Sequence, residues 1–294
     1  LGVDYSAGRP VSYAKNMERM ASASDKARKI LSLGKGGPFL LNVMRAHVQT
    51  AALYGARVNG INNGTLEKLR TIVRAATSTR AHGGSATMDL HLQKQKDIDP
   101  AYAGNTLPLL QWATRINVAS WNNDQVTLVQ HSKAWAAAMA NMAKCLEKGD
   151  DPWRNIIGPA SACIATLGRI GWDVPQAFGW KQWIDREGVT IDLTVTCPYS
   201  LKKSLHRDIA RQYWSVSMLN EQISDRSGVW LEPLRSAIFT AEKQKGAMTR
   251  SAAIGTQWTQ SRVAEAGYAT SKEDVQCKLC HDANGTLEHR FASD

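Results

Sequence analysis

A chain of 294 residues, 43% hydrophobic and 21% charged, has enough apolar content to bury a substantial core, which excludes a disordered or low-complexity protein. It holds no apolar run of about 18 residues that would span a membrane, and its opening LGVDYSAGRP lacks an initiating Met and the charged-then-apolar order of a signal peptide. The expectation is a soluble intracellular chain, cut from something longer, with a formal net charge of +10.

In chain order, Leu1 to Tyr5 reads as a short β-like start and SAGRP as a turn. Tyr13 to Leu33 then predicts an amphipathic helix, with Met17, Met20, Ala27, Ile30, Leu31 and Leu33 as its apolar positions and Gly34 as its stop. After GKGGP, Phe39 to Val58 repeats apolar residues near 3.6-residue spacing at Phe39, Leu40, Val43, Met44, His47, Ala51 and Tyr54, leaving Arg45 and Gln49 outside. On that spacing His47 is a satisfied core histidine. A third helix is expected from about Thr65 to Ser78, with Leu66, Leu69, Ile72 and Val73 on one face, Asn62-Asn63-Gly64 as its turn and Thr65 as its cap.

GGSAT at Gly83 to Thr87 marks a first boundary. Beyond a polar HLQKQKDIDP, the segments Leu107 to Ala119, Val126 to Leu146 and Asn155 to Ile170 predict long helices. GWDVPQAFGW is a second break, and the β-branched residues around Val189 to Val195 predict a short hairpin or extended arm. Helices are expected again over Ser204 to Leu219, Leu231 to Lys245 and Ala247 to Ala266. The fold class is mainly α: helical bundle segments with one minor β hairpin or arm and a small zinc-knuckle-like turn at the C-terminus. Four segments follow, 1–85, 86–170, 171–246 and 247–294.

Charge is unevenly placed. Residues 1 to 85 carry 13 basic and 4 acidic side chains, and the remaining 209 residues carry 23 and 22, so +9 of the +10 sits in the first third. A basic excess confined to one segment is the footprint of a polyanion-binding surface. Candidate phosphate contacts are Lys26, Arg28, Lys29, Lys35, Arg45, Arg57, Lys68, Arg70 and Arg74. GKGGP is not a P-loop, although a Lys among glycines at a helix start can hold one phosphate through exposed N–H groups.

Five cysteines make no disulfide framework. Cys145 and Cys163 read as small buried hydrophobes, Cys197 has no evident partner, and the pattern suits the cytosol or nucleus. Cys277, Cys280 and His289 form a C-x2-C-x8-H arrangement, three ligands of a structural zinc site with Asn284-Gly285 as the intervening turn. Most of the ten tryptophans fall between Trp112 and Trp214, at spacings that read as helix-packing anchors more than base-stacking platforms. Asp185, Glu187 and Asp192 bracket the expected hairpin, and would support phosphoryl chemistry only if they converged on a metal.

The initial Leu1-Gly2-Val3, the pairs Tyr54-Gly55 and Leu69-Arg70 in the basic helices, and the terminal Cys277, Cys280 and His289 occur in one order. That order resembles the region downstream of the polymerase palm in LINE-type (non-LTR) retrotransposon reverse transcriptases. There a "YLGV"-like strand is followed by a helical thumb, a helical linker and a cysteine- and histidine-containing knuckle. The resemblance implies a basic thumb-like segment over 1–85, a linker over 86–170, a Trp-rich segment over 171–246 and a helix with a zinc knuckle over 247–294. It implies RNA and DNA (template-primer) and the remainder of a parent polyprotein as partners, with no membrane. The family's catalytic Tyr-x-Asp-Asp turn is not in this chain, so no catalytic residue is expected and no polymerase activity from the chain alone. The family's fourth knuckle ligand, a Cys five residues after the His, is replaced by Asp294.

The expected function is therefore a non-catalytic grip on template-primer phosphates. A free-standing helical nucleic-acid-binding protein, a helical interaction scaffold and a phosphoryl-transfer enzyme stand as alternatives.

Overall fold

A computed structural model describes residues 9–34, 38–77, 85–93, 97–175, 178–220 and 231–240, with 246, 249–250, 253, 275–277 and 284. The expected initial strand and the helix over 247–266 lie outside the described residues, apart from isolated positions in the latter. The chain divides into two units, one of Leu1–Ser78 with Gln93–Trp230 and one of Thr79–Leu92 with Leu231–Asp294. Most of the expected segments 1–85 and 86–170 thus falls in the first unit, while 79–92, across their boundary, falls in the second.

The first unit is helical with one small sheet. It begins with α1 (Ala14–Ser32) and α2 (Pro38–Val43), a π-helical turn (Met44–Gln49), α3 (Thr50–Ala52), α4 (Ala56–Asn59) and α5 (Asn63–Arg74). The α1 face that packs inward is Asn16, Met20, Ala23, Ala27 and Ile30, whereas Met17 and Leu33 are exposed. The cap of α5 is Asn62, not Thr65: the Asn62 side-chain carbonyl accepts the Thr65 N–H at 2.8 Å. An amide oxygen one turn back reaches the orphan N–H groups that Thr65, already inside the helix, cannot serve.

The π-helical turn changes which residues face inward. Up to Met44 the expected positions Leu40 and Met44 are buried, whereas Phe39, expected on the same face, is exposed. Beyond Met44 the inward positions advance by one, so Val48, Gln49 and Ala52 are buried and His47 is exposed. His47 is therefore not a core histidine. A wider turn carries an extra residue and rotates everything after it, which a constant 3.6-residue period does not anticipate. Gln49, expected outside, instead donates from Nε2 to the Ile98 carbonyl at 2.7 Å.

The largest core belongs to α7 (Pro100–Trp121), α8 (Gln125–Glu147), α9 (Pro159–Ile170) and α10 (Pro198–Asn220), with a 3-10 turn (Pro152–Asn155) before α9. Helix α7 packs against α4, α5, α8, α9 and α10. It starts seven residues before the expected Leu107 because Asp99 caps it, accepting the Ala101 N–H at 2.8 Å, and Pro100 occupies the first turn, where a missing N–H costs nothing. Trp112, Trp135, Trp153, Trp172, Trp183 and Trp214 are buried, as packing anchors should be. Trp180 is half-buried and Trp121, at the end of α7, is 87% exposed, while Trp230 and Trp258 lie outside the described residues.

Strands β1 (Gln182–Ile184) and β2 (Thr190–Asp192) pair antiparallel, Gln182 opposite Asp192 and Ile184 opposite Thr190. Gly188, at φ 81°, takes the left-handed turn position that a side chain would strain. The second unit contains α6 (Ala86–His91) and α11 (Leu231–Thr240), joined where the Arg235 guanidinium donates to the His91 carbonyl. Among the described residues no helix is long and apolar enough to cross a membrane.

Asp99 does more than cap. It is wholly buried, and its carboxylate takes Nε and Nη2 of Arg70 at 3.0 and 2.9 Å. Burial alone would lower the Arg70 pKa, but Asp99 and Glu67 outweigh it and hold the guanidinium charged. Asp99→Asn keeps a capping oxygen and strands that charge, so urea denaturation should show a loss of about 3 kcal/mol. Asp99→Ala removes the cap as well and should lose about 1 kcal/mol more.

Candidate anion-binding cleft

The expected cationic residues meet different fates. Lys26 and Lys29 are exposed on α1 and Lys68 on α5. At about 100° per residue, Lys26 and Lys29 lie on one flank of α1 while Arg28 points away from both, paired with Asp25. Arg45 is spent on Asp97, with two bonds of 3.0 and 2.8 Å. Arg74 is half-buried. Arg70 is an interior residue, stacked over Tyr213 at 4.2 Å as well as paired with Asp99, so its fork is closed to a phosphate. Lys35 lies outside the described residues.

Arg57 is different, because the fold brings it to a cleft of about 890 Å³. Helix α4 supplies Arg57 and Val58, and α7 supplies Gln111, Trp112 and Arg115. Helix α8 contributes Thr127, Gln130 and His131 with the small Ala134, Ala137 and Ala138, and the chain from Ile157 into the first turn of α9 closes the remaining side. The helices converge because α7 and α8 form an antiparallel hairpin turned at Asn123 (φ 53°), with α9 laid against both and α4 against α7 and α9. Close packing next to the cleft depends on Gly60: at φ +63°, an added Cβ would meet the Trp153 ring at 2.7 Å.

The cleft's aromatic floor is rigid. Trp112 donates from Nε1 to the Trp180 carbonyl at 2.8 Å, and its ring contacts His131 edge-on at 4.7 Å and Trp135 at 5.3 Å between centroids. His131 Nδ1 lies 2.8 Å from the Thr127 carbonyl. A carbonyl only accepts, so Nδ1 carries the proton and the neutral ring keeps its lone pair on Nε2.

The field in the cleft is positive. Arg57 and Arg115 are both exposed, neither has a hydrogen-bond or ion-pair partner among the described residues, and no described lining residue is acidic. The helix terminus itself adds less than its position suggests. Ser161 Oγ accepts the N–H groups of Ile157 and Gly158 at 2.9 and 3.1 Å, and Pro159 has none to offer. Arg115, Trp112 and His131 were not singled out as binding residues in the sequence. The one signal for them is local: Trp112 and Arg115 are three apart and therefore share a helix face.

The hairpin carboxylates do not form a metal site. Asp185 Oδ1 accepts the N–H groups of Glu187 and Val189, both at 2.9 Å, and Oδ2 accepts Arg207 at 2.7 Å. Asp192, at the other end of the strand pair, is held by Thr194 and Gln182. Asp185 and Asp192 are each spent on a turn at opposite ends of the strand pair, Glu187 shares Arg207 with Asp185 and also pairs with Arg211, and among the described residues no group of three or more His, Cys, Asp or Glu is arranged to hold a metal ion. Of the expected zinc ligands, Cys280 and His289 lie outside the described residues. Cys277 is buried, and an antiparallel bridge between Gln276 and Asn284 reverses the chain just after it.

No protein-family model, no curated protein and no solved structure matches this chain.

Burial works to raise the Asp185 pKa, and the Val189 N–H, Arg207 and the Glu187 N–H overcome it, so the carboxyl sits below its ordinary value. A depressed pKa contributes stability that is present above the unfolded value near about 4 and is lost as pH falls through the folded value. Asp185→Asn should therefore lower the urea midpoint at pH 7 and show a smaller further decline on acidification than the parent chain.

Proposed function

We propose that this chain is a non-catalytic nucleic-acid-binding part of a retroelement RNA-directed DNA polymerase, gripping template-primer phosphates. What carries the reading is the set Lys26, Lys29, Arg57 and Lys68: exposed, and without a carboxylate partner among the described residues. They belong to a segment with a +9 excess. Such cations act as point charges and forks that position a duplex without reading its sequence. Arg70, Arg45 and Arg28 drop out of the contact set because carboxylates already hold them.

Binding to an RNA·DNA hybrid should fall linearly on a plot of log affinity against log salt. Three to four neutralised phosphates correspond to a slope of about −3. The triple substitution of Lys26, Lys29 and Lys68 to Gln should flatten it, whereas Arg28→Gln should change it little. Binding indifferent to salt would end this reading. A helical interaction scaffold would then be favoured by the exposed apolar residues Val118, Trp121, Val126 and Val129 around the α7–α8 turn.

The terminus belongs to the same proposal. Cys277, Cys280 and His289 would hold zinc weakly, with Asp294 or water as fourth ligand; the ion would cross-link the terminal turn, and the buried Cys277 beside a chain reversal suits that role. Competition with a chromophoric chelator should show that Asp294→Cys tightens zinc binding by about tenfold or more. An unchanged affinity would mean that these residues do not form the site.

A further inference from the structure

We propose that the cleft between α7, α8 and the start of α9 binds a nucleoside monophosphate unit, with its base against the apolar wall of Val58, Ala134, Ala137 and Ile157 and its phosphate at Arg57 and Arg115. This deepens the nucleic-acid reading and rests on it for the source of the nucleotide. The walls exclude a purely inorganic anion as the natural occupant, since Val58, Trp112, Ala134, Ala137, Ala138 and Ile157 present mostly apolar surface. Two arginine forks without counter-ions exclude a neutral apolar ligand, which would leave that charge uncompensated beside it. The occupant is therefore an amphiphilic anion.

Polar groups along the walls narrow the class. The side chains of Gln111 and Gln130 have no hydrogen-bond partner among the described residues, and each presents both donors and an acceptor. His131, fixed by Thr127, offers Nε2 as an acceptor beside the Trp112 ring. A fatty acid has nothing to match these groups along its chain. A nucleobase carries N–H donors and ring or carbonyl acceptors on its edge and a flat face to set against the apolar wall of Val58, Ala134, Ala137 and Ile157. Guanidinium pairs with phosphate oxygens bidentately, the geometry two arginines from different helices can clamp. A volume of about 890 Å³ also lies within the range of small-molecule and cofactor pockets. Base-paired nucleotides cannot present an unstacked base, so the cleft and the duplex grip make separable demands.

The test uses the full chain with AMP, adenosine and inorganic phosphate, followed by calorimetry. AMP should bind, and adenosine and phosphate should each bind weaker by about tenfold or more. Ala137→Trp, at an exposed position on α8, fills the cleft and should abolish AMP binding. Arg115→Gln should weaken AMP by about tenfold while leaving adenosine unchanged. Circular dichroism and the urea midpoint verify that both variants fold.

An A8 oligoribonucleotide identifies the source. If it competes with AMP and Ala137→Trp weakens it, the occupant is a nucleotide of a single strand; if AMP binds and the oligonucleotide does not compete, the occupant is a free nucleotide. Either result supports the cleft's assignment. Failure of AMP to bind, equal binding by Ala137→Trp, or phosphate competing as well as AMP overturns it. Salt-dependent binding of the RNA·DNA hybrid, measured in parallel, separates the two readings: hybrid binding without AMP binding removes this inference alone, and AMP binding without hybrid binding removes the grip alone.

Discussion

Asp99 sits at the junction where the helices preceding α7 meet the main core. A single carboxylate caps the longest-range packing element of the unit and neutralises an arginine from α5, with no part of the residue exposed. Burying either group alone would cost several kcal/mol. Together they are tolerated only in one arrangement, with the N-terminus of α7 held against the inner face of α5. Helix α7 in turn packs against α8, α9 and α10. Gln49, reaching the Ile98 carbonyl one residue before the cap, ties the π-helical turn to the same point.

Further buried polar groups follow the same logic farther along the unit. Arg169 of α9 is held by Asn105 of α7 at 2.8 Å, by the Ile61 carbonyl at 2.8 Å and by Asn63 at 3.1 Å, and lies over the Trp153 ring. Burial pulls its pKa down to about 10, still charged at neutral pH. Asp208 takes the Trp172 indole at 2.8 Å and Arg207 at 2.9 Å, and Arg207 also donates to Asp185 at 2.7 Å, linking α10 to the hairpin. Arginines in this chain therefore divide into those that hold helices together and those, such as Arg57 and Arg115, left facing a cavity.

That division was only partly visible beforehand. Arg70 stands four residues after Leu66 and three before Val73, inside the apolar stripe of α5, so helical periodicity does place it inward. Net-charge reasoning weighed it equally with Lys68, which lies on the opposite flank, because a sum over residues carries no direction. Arg28 and Arg45 differ from Lys26 and Lys29 only through a carboxylate within reach. Asp25 is three residues from Arg28 on the same helix, whereas Asp97 comes from far along the chain. The cleft is less legible still: its cations come from α4 and α7, and its floor depends on Trp112 bonding a carbonyl beyond the end of α9.

Local patterning was enough to establish a mainly helical chain, the approximate span of the long helices among the described residues, a short hairpin or arm around Val189 to Val195 and the role of most tryptophans as packing anchors. These follow from periodicity, turn residues and side-chain volume, which act over a few residues. The inward shift after Met44, the burial of Arg70 by Asp99, the separation of Asp185 from Asp192 and the placement of Arg57 and Arg115 along one cleft required the folded chain. Each depends on which distant groups share one desolvated space, and contact between residues far apart in sequence is set by the packing of whole helices, not by the residues beside them.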